Sequence, residues 1–268
     1  MWDAVVVGSG FGGALAAYAL LRAGLRVLVL ERGDWVEPGP HHGAWSVRWS
    51  RRPGYTCETP YTVEGEQRTR IGSFHCVGGM SLFYGGVALR LRERDLEGYP
   101  SVSGDVRWPI GYAELLPHYE EAELLLGITG DERADPTAPP RLRPLATPED
   151  PLSDSSRALA AAAERLGMRP FRLPTTLRRH RDRSGMRPCA VCDGFACGGK
   201  ADLGAFLLPA LVERGLVIRP GTVARGLETE GGRVRAVHAM DRSTGQRLRV
   251  RAERFVLAAG ALATPHLL

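Results

Sequence analysis

The sequence predicts an α/β fold: a layer of parallel strands with an inserted meander. Three observations predict it. A strand, a glycine turn, a helix and a second strand follow one another directly between residues 4 and 30. A group of strands separated by turn signals occupies 216–251. A last apolar strand, 255–260, is followed by a helix start.

The first strand is Ala4-Val5-Val6-Val7, a short apolar run of the buried type. Gly8-Ser9-Gly10-Phe11-Gly12-Gly13 makes the turn, residues 14–22 read as a helix, and 25–30 return as a strand ending at Glu31. This is the opening of a dinucleotide-binding unit. Gly8 permits the turn, Gly10 lets the backbone approach a pyrophosphate, and Gly13 lets the helix pack close to the sheet. The helix start offers unpaired N–H groups and a partial positive charge to phosphates. Glu31 stands where an acid can accept from ribose hydroxyls, which disfavours a 2′-phosphate and hence NADP.

Residues 33–70 are irregular and rich in Gly, Pro, Trp and Arg; a stretch of that length in a compact domain usually covers a ligand. A second glycine-rich segment, Gly78-Gly79-Met80-Ser81-Leu82-Phe83-Tyr84-Gly85-Gly86, follows. Helices are expected over 114–126, 153–166 (capped by Ser153 or Asp154) and 202–213, with a Pro-rich surface linker over 131–151. The strands expected next are 216–219 with 223–229, then 233–241 and 247–251, with Gly231-Gly232 and Ser243-Thr244-Gly245 as turns.

The chain has 268 residues, 44% hydrophobic and 24% charged, as in an ordinary globular enzyme. Its net charge of +5 comes from arginine, because Lys200 is the only lysine. Lys200 is expected to cap a helix or to be solvated. Arg178, Arg179, Arg181 and Arg183 around His180 read as a solvated loop rather than a nucleic-acid site. No apolar stretch approaches a membrane span. No secretory leader is expected, and five cysteines, an odd number, suggest a reducing compartment, read as the cytoplasm.

Four segments in order resemble the glucose–methanol–choline (GMC) family of FAD-dependent oxidoreductases. They are 7–33, Val77-Gly78-Gly79-Met80-Ser81, the loop from Cys189 to Lys200, and Val256-Leu257-Ala258-Ala259-Gly260-Ala261 with Thr264-Pro265. The resemblance implies a Rossmann-like FAD-binding domain with an inserted β-meander and part of a substrate domain. It divides the chain into 1–95 (FAD-binding, first part), 96–185 (inserted helical and loop region of the substrate domain) and 186–268 (FAD-binding, second part). It implies FAD in an extended pose, with Gly8, Gly10, Gly12, Gly13, Glu31 and Arg32 at the pyrophosphate and adenosine ribose. Gly78, Gly79 and Ser81 would lie near the flavin, Val223 would meet the adenine through its backbone, and Ala259 and Gly260 would pass close to the dinucleotide. The activity implied is oxidation of a small-molecule CH–OH donor by hydride transfer to the flavin.

Phe83 stands at or near the position where some members carry a flavin-linking His, so non-covalent FAD is expected. Tyr84 replaces an Asn common in the family; it could cover the flavin or simply pack. Members carry about as much chain again after the Ala-Ala-Gly strand, including the His that takes the alcohol proton. None of His41, His42, His75, His118, His180, His238 and His266 has a matching context. The catalytic half is therefore expected to lie outside this sequence, catalytic residues are unassigned, and low soluble yield is expected from uncovered apolar surface. The alternatives are a non-catalytic flavin-binding remnant or subunit needing a partner chain for the missing half, and an electron-transfer subunit. A nicotinamide enzyme is opposed by the Gly79–Ser81 segment. Cys189, Cys192 and Cys197 could hold an iron–sulfur cluster, or zinc with His180; a tight loop without metal is the reading adopted.

Overall fold

Two short apolar strands, Trp2–Val7 (β1) and Val27–Leu30 (β2), lie side by side and parallel, joined by the helix Phe11–Arg22 (α1). The computed structural model describes residues 1–36, 56–63, 69–101, 104–131, 135–148, 151–176 and 200–268. The cysteine loop and the arginine cluster around His180 lie outside the described residues. In chain order there follow β3 (Thr56–Val63), β4 (Thr69–His75), α2 (Glu93–Leu96), β5 (Tyr99–Ser101), β6 (Gly104–Val106), α3 (Tyr112–Leu126), β7 (Thr129–Asp131), α4 (Asp154–Arg165) and β8 (Arg172–Thr175). The chain closes with α5 (Leu208–Glu213), β9 (Val217–Arg219), β10 (Thr222–Glu230), β11 (Arg233–Asp241), β12 (Arg247–Leu257) and α6 (Gly260–Leu267).

These elements divide into two compact units. Among the described residues, the first takes 1–36, 56–63, 69–84 and 202–268. Its six-stranded sheet has the order β10-β11-β12-β1-β2-β9. Val5, Val6, Val27 and Val29 are fully buried, as strands covered on both faces require. The side of α1 that packs inward is Gly13, Ala14 and Ala17, all small, so the helix axis sits close to the sheet.

The sequence suggests separate strands at 247–251 and 255–260, but β12 is one strand of 11 residues. Arg251-Ala252-Glu253-Arg254 holds no Gly or Pro, so nothing ends the strand there. The strand changes partners instead. Residues 247–251 pair antiparallel with β11, and 252–257 pair parallel with β1. Among the described residues, no strand pairs with the other edge of 252–257. Phe255, Val256 and Leu257 are accordingly only half-buried, whereas their β1 partners Val5, Val6 and Val7 are buried. No residue of α6 is buried either.

Among the described residues, the second unit holds α2, α3, α4 and two two-stranded antiparallel pairs of short strands, β5–β6 and β7–β8, which composition alone did not reveal. Helix α3 starts at Tyr112, two residues ahead of the expected start, because the Gly111 N–H donates to Glu114 Oε2 at 2.9 Å. Helix α4 starts as expected, with the Ser156 N–H donating to Ser153 Oγ at 3.1 Å. Arg90, 5% exposed, donates to Glu120 Oε1 (2.7 Å), both oxygens of Glu123, and the Tyr112 hydroxyl. Arg141 closes the group on Glu123 at 2.6 Å. Lys200 is buried, 3% exposed, and so is not the solvated residue its glycine neighbours suggest. Among the described residues, no helix is long and apolar enough to cross a membrane.

Candidate dinucleotide site at the amino end of the first helix

The turn between β1 and α1 works because side chains are missing from it. Gly8 has φ +94°, and a Cβ there would lie 2.4 Å from the Ala258 carbonyl oxygen. A Cβ on Gly13 would lie 1.9 Å from the Gly8 oxygen. The β1–α1 turn, the helix and the end of β12 therefore close on one another at backbone distance. The last contact is fixed by the Ala258 N–H donating to Val7 O at 2.8 Å. Ala259 then caps α6, and Gly260 opens it with φ +88°.

Gly10 differs: a Cβ on it would meet nothing within 4 Å. As N-cap of α1 it brings no side-chain hydrogen bond, and the first turn holds no acidic residue. Among the described residues, the amino end of α1 is thus bare of side-chain acceptors, and its first-turn N–H groups can meet an anion. Gly79 packs against it from the second glycine-rich segment, where a Cβ would sit 3.1 Å from Gly10 Cα. Phe11 meets Tyr84 edge to face beside it, with ring centroids 5.1 Å apart.

Glu31 ends β2 and is 6% exposed. Its Oε2 accepts from the Ser9 N–H (2.9 Å) and the Ser9 hydroxyl (2.6 Å), and its Oε1 from the Gly33 N–H (2.9 Å). The Arg32 N–H bonds to this carboxylate as well; a carboxylate offers about four acceptor positions, so the chain itself engages it on all sides. Burial pushes the Glu31 carboxyl above the ordinary glutamate range, with the bonds from Gly33 and Ser9 pulling the other way. Cys76, fully buried, has its thiol pushed up to about 12 by burial and then by the charges of Glu31 and Asp202.

The expected residues fall into two groups. Gly8, Gly10, Gly12, Gly13, Gly79, Ala259 and Glu31 gather around the β1–α1 turn and the strands that meet it. Val223 is the second residue of β10, after Thr222, whose N–H donates to Glu31 O at 2.8 Å. Arg32 gives its carbonyl to Arg242 at 3.0 Å. Ser81 is different: fully buried, it spends its hydroxyl inside the protein, donating to Gly78 O at 2.7 Å and accepting from the Leu203 N–H at 2.9 Å. Sequence reasoning missed Ser9, Asp202 and Leu203. Ser9 joins Glu31 to Gly78, 69 positions away, and no local pattern announces such a contact. An open cleft of about 290 Å³, lined by Asp34, Gly221, Asp241 and Arg242 among others, contains none of the expected residues.

The geometry defines a glycine-built dinucleotide cradle of the Rossmann type. A family model described as GMC oxidoreductase matches residues 2–268, and the chain belongs to that family. The family's N-terminal domain is its FAD-binding domain. The cradle fits an FAD: backbone is exposed at Gly10 where a phosphate needs it, and the helix end is unplugged. The chain is 37% identical to 6'''-hydroxyparomomycin C oxidase of Streptomyces lividus, covering 100% of this chain and 50% of the relative. It is 32% identical to paromamine 6'-oxidase of Streptomyces fradiae, covering 100% and 49%. Pyridoxine 4-oxidase from Mesorbium loti matches in structure with a TM-score of 0.63 and 26% identity, over 100% of this chain and 51% of that one. The chain thus spans about half the length of the curated relatives it matches.

Proposed function

We propose that this chain is the FAD-binding part of an oxidoreductase acting on CH–OH donors. The observation that carries the reading is the amino end of α1, open at Gly10 and walled by glycines at 8, 13 and 79. Gly8, Gly10, Gly12 and Gly13 hold the pyrophosphate through backbone N–H groups. Glu31 takes a ribose hydroxyl, Arg32 and Val223 line the adenosine end, and Gly78, Gly79, Ala259 and Gly260 bring backbone close to the rest of the cofactor. Ser81 acts there by holding Gly78. When bound, FAD supplies the hydride acceptor for the alcohol carbon. The hydroxyl proton goes to a base that this chain's residues do not identify.

The FAD-binding domain comprises 1–95 and 186–268, and 96–185 belongs to a substrate domain. The division of the described residues at 84 and 202 supports that order. Phe83 packs beside buried Cys76 and Leu82 and has no group for a flavin linkage, which supports non-covalent FAD. The odd number of cysteines, five, supports the cytoplasm as the compartment.

A second reading is a flavin holder that turns over only with further chain. It is favoured by the edge of 252–257 with which no strand pairs among the described residues and by α6, none of whose residues is buried. Purified protein with FAD absorption that acid releases supports the flavin reading; colourless protein that takes up no FAD ends it. Bleaching by an alcohol under anaerobic conditions separates the enzyme from the holder. Paromamine and 6'''-hydroxyparomomycin C, named by two relatives, are the first alcohols to assay.

A further inference from the structure

Two buried serines connect parts of the first unit that are far apart in sequence. The Leu203 N–H donates to Ser81 Oγ at 2.9 Å, and the Ser81 hydroxyl donates to Gly78 O at 2.7 Å. The Gly78 N–H donates to Ser9 Oγ at 3.0 Å, and the Ser9 hydroxyl donates to Glu31 Oε2 at 2.6 Å. Ser9 and Ser81 are both fully buried, and each hydroxyl donates once and accepts once. All the donors point the same way, toward Glu31, so each bond polarises the next. The line ends on a carboxylate that also accepts from the backbone N–H groups of Ser9, Gly33 and Arg32, and begins at the short π-helical turn Leu203–Leu207.

Gly78 is the hinge of this line. Its φ of +92° lets it turn N–H and C=O to the two serines, and a Cβ there would lie 2.6 Å from Gly204 N. The 3₁₀ turn Gly79–Leu82 hangs from it, and that turn carries Gly79 against Gly10. Ser9 therefore has one hand on Glu31 and the other on the turn that flanks the cradle.

We propose that Ser9 is a positioning residue that couples Glu31 to the Gly79–Leu82 turn, so that a nucleotide engaging Glu31 tightens the turn. The inference rests on the FAD reading and deepens it: adenosine binding organises backbone that the adenosine does not touch. A merely structural Ser9 would loosen the turn equally with and without nucleotide. A coupling residue changes the response to nucleotide.

ADP, which carries the adenosine and pyrophosphate but no flavin, separates these cases. Amide hydrogen exchange is followed in the full chain over residues 78–83 and 203–205, with and without saturating ADP. In the wild type, ADP should slow exchange of these amides about tenfold, the scale of one buried hydrogen bond. In Ser9→Ala, ADP should bind about tenfold more weakly, and at saturation the protection of 78–83 should vanish. In Ser81→Ala, the protection that ADP confers should be kept at Gly79 and lost at Leu203. An unchanged protection ratio in folded Ser9→Ala overturns the coupling while leaving FAD binding intact. Should Ser9→Ala not fold, protection of Leu203 that survives in Ser81→Ala overturns it equally. Failure of the wild type to bind either ADP or FAD removes the coupling together with the flavin reading, and so differs from the other two results.

Discussion

Each unit buries one polar cluster, and the two are built on opposite plans. Around Arg90 every charge has a counter-charge: one guanidinium meets two carboxylates, and Arg141 and Tyr112 fill what remains. Around Glu31 there is one carboxylate and, among the described residues, no cationic side chain bonded to it; its partners are the backbone N–H groups of Ser9, Gly33 and Arg32 and one hydroxyl. The first plan is closed and leaves little for a ligand to do. The second sets a carboxylate without a counter-charge beside a helix end that carries no side-chain acceptor among the described residues, the arrangement the proposed nucleotide site would use. The directions of the pKa shifts agree. Burial, the largest single influence, would raise Glu120, but the bond and charge of Arg90 together with the Leu142 and Arg143 N–H groups hold it below the ordinary range, whereas burial wins at Glu31 and raises it.

The largest expected effect comes from closing the open site. Gly13→Ala places a carbon 1.9 Å from the Gly8 oxygen, where only backbone can give way. α1 must then leave the sheet, and FAD should be lost from the purified protein, as read by its visible absorption. The same change at Gly10, where space is open, should leave the fold intact and weaken FAD only through crowding of the phosphate. Circular dichroism separates the two variants.

Next is the clamp. Arg90→Met leaves Glu120 and Glu123 buried with Arg141 as their remaining cation, which should cost about 3 kcal/mol of stability. The urea midpoint should fall while the Kd for ADP does not change. A change in ADP affinity would mean that the two clusters are not separable. The wild-type clamp should weaken in acid. Glu120 is depressed in the folded state, so its contribution is present above its unfolded pKa and is lost as pH falls through the folded one.

Glu31→Gln probes the opposite sign. A carboxyl raised by folding adds stability below its unfolded pKa and loses it as pH rises through the folded value. The stability of the apo wild type relative to Glu31→Gln should therefore decline as pH rises above the ordinary glutamate range, measured by urea denaturation across pH. FAD binding by the variant should weaken about tenfold, since an amide cannot accept from both Ser9 and Gly33 as the carboxylate does.

The contrast between the clusters also explains what was legible beforehand. The β1–α1–β2 cradle is local: its glycines, strand and acid lie between Ala4 and Glu31, and each has one conformational reason to be there. The meander is legible for the same reason, since Gly231-Gly232 and the Ser243–Gly245 turn stand between its strands. The join inside β12 was not, because a change of strand partner leaves no mark on a run of alternating side chains. The Arg90 clamp was not, because Arg90 and Glu123 are 33 positions apart in an arginine-rich chain where most arginines are ordinary surface. Ser9 was hidden differently: it sits inside the most legible motif of all, and its neighbours drew the attention to glycine.

The smallest expected effect isolates burial as the variable. Ser153 and Ser9 are both serines whose hydroxyl oxygen accepts one backbone N–H, from Ser156 at 3.1 Å and from Gly78 at 3.0 Å. Ser153 is exposed at the start of α4, a helix with no buried residue, so water can replace the lost oxygen. Ser153→Ala should then cost about 0.5–1 kcal/mol, the low end for a lost cap, with no effect on nucleotide binding. At Ser9, which is fully buried, water does not readily replace the oxygen lost to the Gly78 N–H, and the same substitution also removes a bond to Glu31. Equal costs in thermal unfolding would show that the Ser9 pocket admits solvent, and would reduce the buried line of hydroxyls to a surface turn.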